Sequence, residues 1–272
     1  MPVVVENELP GTAVSSQRRE RSGAGAQHHE VALLVDTFTR YFEPENARAA
    51  IAVLRSAGHA VHLPAPLDGA RPLCCGRTYL AQGLITDARA EATRMLDALR
   101  PFIERGIPVL GLEPSCLYTL RDEFHSLMPN ADGLQTLDAL LFEEFLDAQA
   151  RAGRLNLRLQ ALPQRKALLH GHCHQKAFDA MDAVTRVLHL VPQLDVEPIV
   201  SSCCGMAGAF GYEAAHYEAS MKMAEASLLP KVRAAQRDAL IVADGTSCRH
   251  QIRDGAGREA MHVARVLQAA LA

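Results

Sequence analysis

The seven cysteines of this chain fall into a pattern that occurs twice along the sequence. Each half has two adjacent cysteines followed by a glycine, as Cys74-Cys75-Gly76 and Cys203-Cys204-Gly205, and later a Ser-Cys pair that ends at Cys116 or Cys248. Each Cys-Cys-Gly segment follows an extended apolar stretch, and each later cysteine follows a strand-like run. A fold that uses these thiols together must bring several loops to one place.

The two halves differ in their number of thiols. Cys173, within His170-Gly171-His172-Cys173-His174, gives the second half a fourth cysteine. The matching place in the first half reads Val35-Asp36-Thr37-Phe38, which puts Phe38 opposite Cys173. The second half therefore has a complete set of four thiolates, and the first half lacks one ligand. This asymmetry is the feature that points most directly to function.

Short apolar runs alternate with amphipathic segments from residue 30 onward, which indicates parallel sheets with right-handed crossovers. The fold class is therefore α/β, with two repeated parallel-sheet units and functional groups at the carboxyl ends of the strands. Strands are predicted at 31–35, 61–63, 108–112, 166–169, 196–200 and 240–243. Helices are predicted at 44–57, 86–105, 180–190, 213–234 with a break at Pro230, and 259–271.

The same pattern predicts four segments along the chain. Residues 1–29 are polar and glycine-rich without apolar periodicity, which is typical of a disordered tail. Residues 30–131 form the first α/β unit, residues 132–165 a mainly helical connection, and residues 166–272 the second α/β unit.

Composition excludes several classes of protein. The 272 residues have a net charge of only −3 and no basic stripe, so nucleic acid is not an expected partner. No apolar stretch approaches the roughly 20 residues that span a bilayer. We expect no integral membrane segment, although peripheral contact with a membrane stays open. The N-terminus has no secretory h-region. We expect the cytoplasm, where clustered thiols favour metal or redox chemistry over disulfides.

Four converging thiolates can bind zinc or an iron–sulfur cluster. Here the candidate ligands are Cys173, Cys203, Cys204 and Cys248, far apart in sequence. Two adjacent cysteines that point at one site suit a [4Fe–4S] cluster, several ångströms wide, better than one zinc ion. Gly205 permits the unusual turn that this pair needs. The sequence thus predicts a cluster in the second half.

A buried anionic cluster needs donors and positive potential around it. Arg249 follows Cys248 at the start of a helix-like segment, and His172, His174 and Lys176 flank Cys173. We expect these four side chains to tune the cluster through hydrogen bonds to sulfur. The histidines alternate like strand residues, and we interpret them as polar neighbours of the cluster rather than as direct ligands.

The first-half thiols Cys74, Cys75 and Cys116 are weaker metal candidates. They either hold a labile cluster with a fourth ligand that is not a thiolate, or they serve the structure alone. Glu113 and Asp244, which precede Cys116 and Cys248 near strand ends, could be capping groups as easily as proton carriers.

These motifs resemble the cysteine-rich CCG domain, which occurs in heterodisulfide reductases and in the iron–sulfur subunits of glycolate oxidase, lactate-utilisation and anaerobic glycerol-3-phosphate dehydrogenase systems. More narrowly, they are similar to the C-terminal part of FAD-linked oxidases fused to an iron–sulfur module. The segments that carry the resemblance are 35–39 with 42–45, 71–77, 111–116, 170–176, 202–208 and 243–249. The further cysteine of heterodisulfide reductases is absent: Thr119 and Gln251 stand there.

The resemblance implies an electron-transfer module that works with a flavin-dependent dehydrogenase of 2-hydroxy acids, such as D-lactate, glycolate or 2-hydroxyglutarate. FAD would be present only in a partner, a flavoprotein subunit or domain with its own ferredoxin-type clusters. Two alternatives remain: thiol–disulfide chemistry at a cluster, and a non-redox structural remnant with zinc or no metal.

Overall fold

The computed structural model describes residues 30–272, so the expectation of a disordered tail at 1–29 lies outside the described residues. Eleven elements precede residue 152. They are β1 (Glu30–Leu34), α1 (Thr37–Tyr41), α2 (Pro44–Ser56), β2 (Ala60–His62), α3 (Arg77–Ala81), α4 (Ile85–Ile103), β3 (Val109–Gly111), α5 (Pro114–Arg121), α6 (Glu123–Leu127), β4 (Ala139–Leu141) and α7 (Phe142–Arg151).

Nine further elements follow in the second half of the chain. They are β5 (Lys166–His170), α8 (Cys173–Ala177), α9 (Met181–Leu188), β6 (Asp195–Pro198), α10 (Tyr217–Glu225), α11 (Leu228–Ala234), β7 (Leu240–Ala243), α12 (Thr246–Ala256) and α13 (Val263–Ala269). Short 3₁₀ turns lie at Leu134–Thr136, Phe210–Tyr212 and Ala214–His216.

The strands form two parallel sheets, which confirms the α/β class. The first sheet has the order β2-β1-β3-β4 and the second has the order β6-β5-β7. In each sheet the earliest strand lies between the two that follow it. Leu34 at the end of β1 pairs with Gly111 of β3, and His170 at the end of β5 pairs with Ala243 of β7. The loops that leave neighbouring strands therefore start side by side.

The sequence had indicated a mainly helical connection at 132–165. The structure differs from this prediction. Its strand β4 pairs with β3 and completes the first sheet, and only α7 is a regular helix. A strand of three residues is too short to show a hydrophobic period in the sequence. Strand β4 is therefore recognised only from its pairing with β3.

Two predicted helices have different bounds in the structure. The segment at 213–234 divides into α10 and α11 before Pro230, which occupies the first turn of α11, where a missing N–H costs no hydrogen bond. The final helix begins at Val263 instead of residue 259 because Met261 pairs with β7 and donates its N–H to the carbonyl of Ile241 at 2.8 Å.

One hydrophobic core joins the two sheets. Leu33 of β1 and Leu54 of α2 belong to the same buried cluster as Leu169 of β5 and Leu267 of α13. Helix α2 packs directly against α13. The two units thus bury apolar surface against each other. Among the helices of residues 30–272, none has the combined length and apolar character needed to cross a bilayer.

Buried polar contacts also connect the units. Arg249 of α12 forms an ion pair with Glu43, the residue before α2, and their side chains are only 5% and 16% exposed. The backbone N–H of Thr246 donates to Glu113 at 2.8 Å, and the imidazole of His262 bonds the carbonyl of Leu112 at 3.0 Å. Although burial raises the pKa of Glu43, the hydrogen bonds from Arg249 hold that pKa below its ordinary value.

We expect Glu43→Gln to lower the free energy of unfolding by about 3 kcal/mol, because it leaves the buried Arg249 charge without a counter-ion. Urea unfolding measures this loss. The matched control is Glu45→Gln, which removes a half-exposed partner of Arg265 at 3.6 Å and should cost less than about 1 kcal/mol. Equal losses in the two variants would show that the buried pair does not hold the units together.

Candidate metal centre

Four thiols of the second unit meet at the carboxyl edge of its sheet. Cys173 is the first residue of α8, directly after β5, and Cys248 lies in the first turn of α12, after β7. Cys203 and Cys204 lie in the loop that follows β6. Because β5 lies between β6 and β7, these three loops open at one place. The structure therefore brings all four predicted ligands together.

The four sulfur atoms form a continuous series of pairwise contacts. Cys173 contacts Cys203, Cys203 contacts Cys204, and the Sγ atoms of Cys204 and Cys248 are 3.4 Å apart. These hydrogen bonds raise the pKa of Cys173 and Cys204 and lower the pKa of Cys203 and Cys248. Thiolates are the form that binds metal, and the lowered pKa of Cys203 and Cys248 favours that form.

Gly205 makes the turn that lets both adjacent cysteines face the site. Its φ of 94° lies in the left-handed region, and its N–H donates to the Sγ of Cys203 at 3.3 Å. A Cβ at this position would collide with the backbone carbonyl of Ser220. The geometry needs glycine for both reasons.

Two imidazoles border the thiols. His170, the last residue of β5, is fully buried, and one of its ring nitrogens lies within 4.8 Å of the sulfurs of Cys204 and Cys248. His172 is the N-cap of α8 and accepts the N–H of His174 at 3.1 Å. After the hydrogen bond with Cys204, the nearby His170 and His172 contribute most to the lowered pKa of Cys248.

The approach of His170 to the thiols was missed by sequence reasoning, which treated the three histidines as one alternating run. Their positions differ, because the strand ends at His170 and a helix begins after His172. The one signal in the sequence was the place of His170 at the end of a buried strand. Residues at that position point to the edge where ligands bind.

Two of the predicted tuning residues act at a distance from the sulfurs. His174 faces the first unit, where Arg77 Nη2 lies 3.4 Å from its Nε2, and burial lowers its pKa to about 4. Lys176 donates from Nζ to the carbonyls of Ser201 at 2.7 Å and Ser202 at 2.9 Å. Lys176 thus holds the loop that leads to Cys203.

The guanidinium of Arg249 does not bond sulfur; in the described part of the chain its partners are Glu43, the hydroxyl of Thr246 and the carbonyl of Ala243. Glu113 accepts the hydroxyl of Ser115 at 2.7 Å at the start of α5, besides its bond to α12. Asp244 accepts the N–H of Val263 at 3.0 Å and the side-chain amide of Gln175 at 2.8 Å. Both carboxylates therefore serve as capping and linking groups.

The three thiols of the first unit have an arrangement similar to that of three thiols in the second unit. Cys75 contacts both Cys74 and Cys116, and the N–H of Gly76 donates to the Sγ of Cys74 at 3.5 Å. Gly76 has a φ of 77°, so this turn is left-handed like the one at Gly205. The three weaker candidates thus also lie together.

Thr37, and not Phe38, stands opposite Cys173. Asp36 caps α1 as His172 caps α8, each accepting an N–H two residues ahead, so the first helical residues, Thr37 and Cys173, correspond. Thr37 also interacts with Cys74, as Cys173 does with Cys203. The sequence alignment was wrong by one residue because it did not locate the helix start.

The two sites differ in the charges beside their thiols. A hydrogen bond from Cys75 lowers the pKa of Cys116. Burial and the carboxyl groups of Asp36 and Glu113 outweigh this effect and raise that pKa to about 11. Burial, followed by the charge of Glu113, raises the pKa of Asp36 itself to about 6. Carboxylates therefore oppose thiolate formation in the first unit, whereas imidazoles favour it in the second.

The chain is similar in sequence to a dehydrogenase subunit, to a second dehydrogenase and to a lactate utilization protein. It is 28% identical over 270 residues, 97% of this chain, to a subunit of the anaerobic glycerol-3-phosphate dehydrogenase of Escherichia coli (strain K12). It is 29% identical over 264 residues, 94% of this chain, to the D-2-hydroxyglutarate dehydrogenase of Pseudomonas putida. It is 24% identical over 196 residues to lactate utilization protein A of Bacillus velezensis, covering 71% of this chain and 79% of that protein. No family model matches the chain.

The chain corresponds to only part of two of these relatives. It spans 66% of the length of the glycerol-3-phosphate dehydrogenase subunit and 24% of the length of the D-2-hydroxyglutarate dehydrogenase. Sequence similarity therefore extends over nearly all of this chain, while large parts of both relatives have no counterpart in it.

We expect Gly205→Ala to lower the free energy of unfolding by more than about 3 kcal/mol, because a collision with the Ser220 carbonyl adds to the strain of a left-handed alanine. The matched control is Gly208→Ala, where φ is 69° and a Cβ meets no atom within 4 Å. This control should lose only about 1 kcal/mol. Denaturant unfolding of both variants measures the difference, and similar losses would show that the turn at Gly205 can relax.

Proposed function

We propose that the chain is an iron–sulfur electron-transfer module that works with a flavin-dependent dehydrogenase. Cys173, Cys203, Cys204 and Cys248 would hold one [4Fe–4S] cluster. The observation that supports this most strongly is the series of contacts among four thiols from three loops, two of them with lowered pKa. When bound, the cluster would accept and release one electron at a time.

The residues present fit such a group. Soft thiolate ligands are the donors that iron–sulfur clusters take. The buried site holds several electron-pair donors close together, because the ligand atoms of His170, Cys204 and Cys248 lie within 4.8 Å of one another. A positively charged metal centre would stabilise these donors together. The N–H of Gly205 and the ammonium of Lys176 would orient the ligand loop.

We propose further that the flavin belongs to a partner subunit or domain. The names of the relatives are those of glycerol-3-phosphate and D-2-hydroxyglutarate dehydrogenases and of a lactate utilization protein. Removal of hydride from such alcohols needs a two-electron acceptor, and that chemistry is typical of flavin. The substrate class of the complex would be a 2-hydroxy acid or a similar secondary alcohol. The seven free cysteines suit a reducing compartment, and we extend the proposal to the cytoplasm.

We also propose that the two units are copies of one CCG-type ancestor. Both sheets have the earliest strand between the next two, and both contain a left-handed Cys-Cys-Gly turn. The first unit has threonine where the second has Cys173, and its thiols adjoin Asp36 and Glu113. We propose that its thiols serve the structure and hold no cluster.

A second candidate is a single metal ion such as zinc at the same place. It is favoured by the compactness of one group of donors, because His170, Cys204 and Cys248 all lie within 4.8 Å of one another. Zinc binds such mixed sets of cysteine and histidine in tetrahedral sites. The two candidates differ in colour, in acid-labile sulfide and in redox activity.

Anaerobic reconstitution should yield about four irons and four sulfides per chain, with broad absorbance in the visible range. Cys204→Ser should lose most of this iron, because Cys204 contacts two of the other ligands. A reduced flavoprotein partner should bleach the absorbance of the wild type and leave Cys204→Ser unchanged.

Cys75→Ser is the matched control, since Cys75 is the equivalent buried cysteine of the first unit. It should keep the full iron content. Loss of iron from Cys75→Ser alone would reverse the assignment of the two sites. A colourless protein with one zinc per chain would contradict the cluster and support a single zinc ion at this site.

A fourth thiol should restore metal binding to the first unit when it is placed at Thr37. We expect Thr37→Cys, combined with Asp36→Asn, to raise the iron content towards about eight per chain. The Asn removes a buried carboxylate beside the thiols and still caps α1. The control is Phe38→Cys with the same Asp36→Asn change, which should stay at about four irons. If only the control gained iron, Phe38, and not Thr37, would be the residue that corresponds to Cys173.

A further inference from the structure

Two buried carboxylates share one amide group where α7, α8 and the end of β7 meet. Nε2 of Gln175 donates to Glu143 at 2.7 Å and to Asp244 at 2.8 Å. Glu143 is fully buried, and Asp244 is only 1% exposed. Two carboxylates held this close together in a buried place oppose each other's ionisation. The Glu143–Asp244 pair therefore retains one proton to a higher pH than ordinary carboxyl groups do.

The titratable and charged neighbours of Asp244 do not cancel the second charge of the pair. Nδ1 of His262 accepts a backbone N–H of α13 at 3.0 Å, and its Nε2 donates to the carbonyl of Leu112 at 3.0 Å. Because a backbone N–H can only donate and a carbonyl can only accept, this imidazole is neutral. Burial lowers the pKa of His262 in the same sense. The charge of Arg249 acts on Asp244, but its guanidinium is ion-paired with Glu43.

The neighbours of Glu143 do not cancel that charge either. On α7 itself, Glu144 adds a further negative charge and is ion-paired with Arg121 at 2.8 Å. Strands β3 and β4, which pack against α7, contain no charged residue. Burial, followed by the charge of Asp244, raises the pKa of Glu143 well above its ordinary value. The cationic groups of α8, α9 and α13 are engaged with other partners: Lys176 with the carbonyl of Ser201, Arg186 with Asp147 and Asp182, and Arg265 with Glu45.

The pair is connected to two of the segments that carry the predicted cluster ligands. Oε1 of Gln175 accepts the backbone N–H of His172 at 3.0 Å, and Gln175 lies on the short helix that begins at Cys173. Asp244 directly follows β7 and precedes the helix that carries Cys248. Charges interact strongly in such a buried, low-dielectric place. A proton on the pair therefore favours an added electron at the metal centre, and by linkage the electron favours the proton by the same factor.

We propose that the Glu143–Asp244 pair is a proton-binding site coupled to the metal centre, and that it takes up a proton when the centre is reduced. The inference rests on the proposed function, because it assumes that the second unit holds an iron–sulfur cluster. One electron from the flavoprotein partner enters the centre, and one proton from solvent binds between the two carboxylates, whose charge changes from −2 to −1. Oxidation of the centre returns both. The proton offsets the charge that the electron brings into a buried place.

Uptake of the proton occurs in a defined range of pH. The lower limit is the pKa of the pair beside the oxidised centre, and the upper limit is its pKa beside the reduced centre. Below this range the pair keeps its proton in both states, and above it the pair lacks the proton in both. Because burial and Asp244 raise the pKa of Glu143, the range lies above that of ordinary carboxyl groups.

The midpoint potential of the reconstituted protein, measured from about pH 5 to about pH 10, tests the inference. Within the range of uptake, the wild-type potential should fall towards a tenfold change in the reduction equilibrium constant per pH unit, which is about 59 mV. Glu143→Gln resembles the protonated form, and its amide oxygen can still accept the bond from Gln175. Its potential should therefore stay near the wild-type value at low pH and lose this slope.

Infrared difference spectroscopy between the oxidised and reduced protein gives a second measurement. Within the range of uptake, the wild type should gain the C=O stretching band of a protonated carboxyl group on reduction, and Glu143→Gln should not. The matched control is Glu144→Gln, the next residue on α7, because glutamine at this position still caps the helix and does not belong to the pair. It should keep both the slope and the band.

Several outcomes would contradict the proton site. A wild-type potential that is constant with pH, in protein with normal iron and sulfide content, would overturn it and leave the proposed function intact. An unchanged slope in Glu143→Gln, or a slope lost in Glu144→Gln alone, would overturn it as well. Absence of iron and sulfide from the wild type would instead overturn the proposed function. If Glu143→Gln fails to assemble a cluster, the presence or absence of the carboxyl band in the wild type and in Glu144→Gln still decides the question.

Discussion

The close gathering of sulfur in a buried place is the constraint on which the rest of the structure depends. Four thiols in contact cannot all ionise in a low-dielectric interior unless positive charge and hydrogen-bond donors compensate them. The second unit supplies a backbone N–H at Gly205 and imidazoles at His170 and His172. Each of these groups reaches the sulfurs because a strand of a parallel sheet ends beside them.

The first unit has a backbone N–H at the corresponding turn, but the side chains around its thiols differ in charge. Its three thiols lie in a similar arrangement, with the same left-handed turn at Gly76. Yet the neighbouring groups are the carboxyls of Asp36 and Glu113, and the pKa of Cys116 rises to about 11. Two sites with similar backbones therefore differ in the charges that surround their thiols.

Glu113 also illustrates how the units depend on each other. Its carboxylate accepts the N–H of Thr246, at the start of the helix that carries Cys248. From the same unit, Glu43 neutralises the buried Arg249 one residue after that cysteine. The first unit thus positions the helix of the second unit that carries Cys248.

Much of this could be predicted from the sequence, because it depends on local patterns. Apolar runs and amphipathic periods indicated the strands β1, β3, β5 and β7, the long helices and the α/β class. Cysteine chemistry alone was enough to group Cys173, Cys203, Cys204 and Cys248. Other features required the tertiary structure, because they arise from residues far apart in the chain. Strand β4 forms because it pairs with β3. Thr37, rather than Phe38, corresponds to Cys173, because helix α1 begins at Thr37. Arg249 bonds Glu43, 206 residues away, rather than sulfur. His170 meets the thiols because its strand lies between two others, and no local pattern records which strands become neighbours.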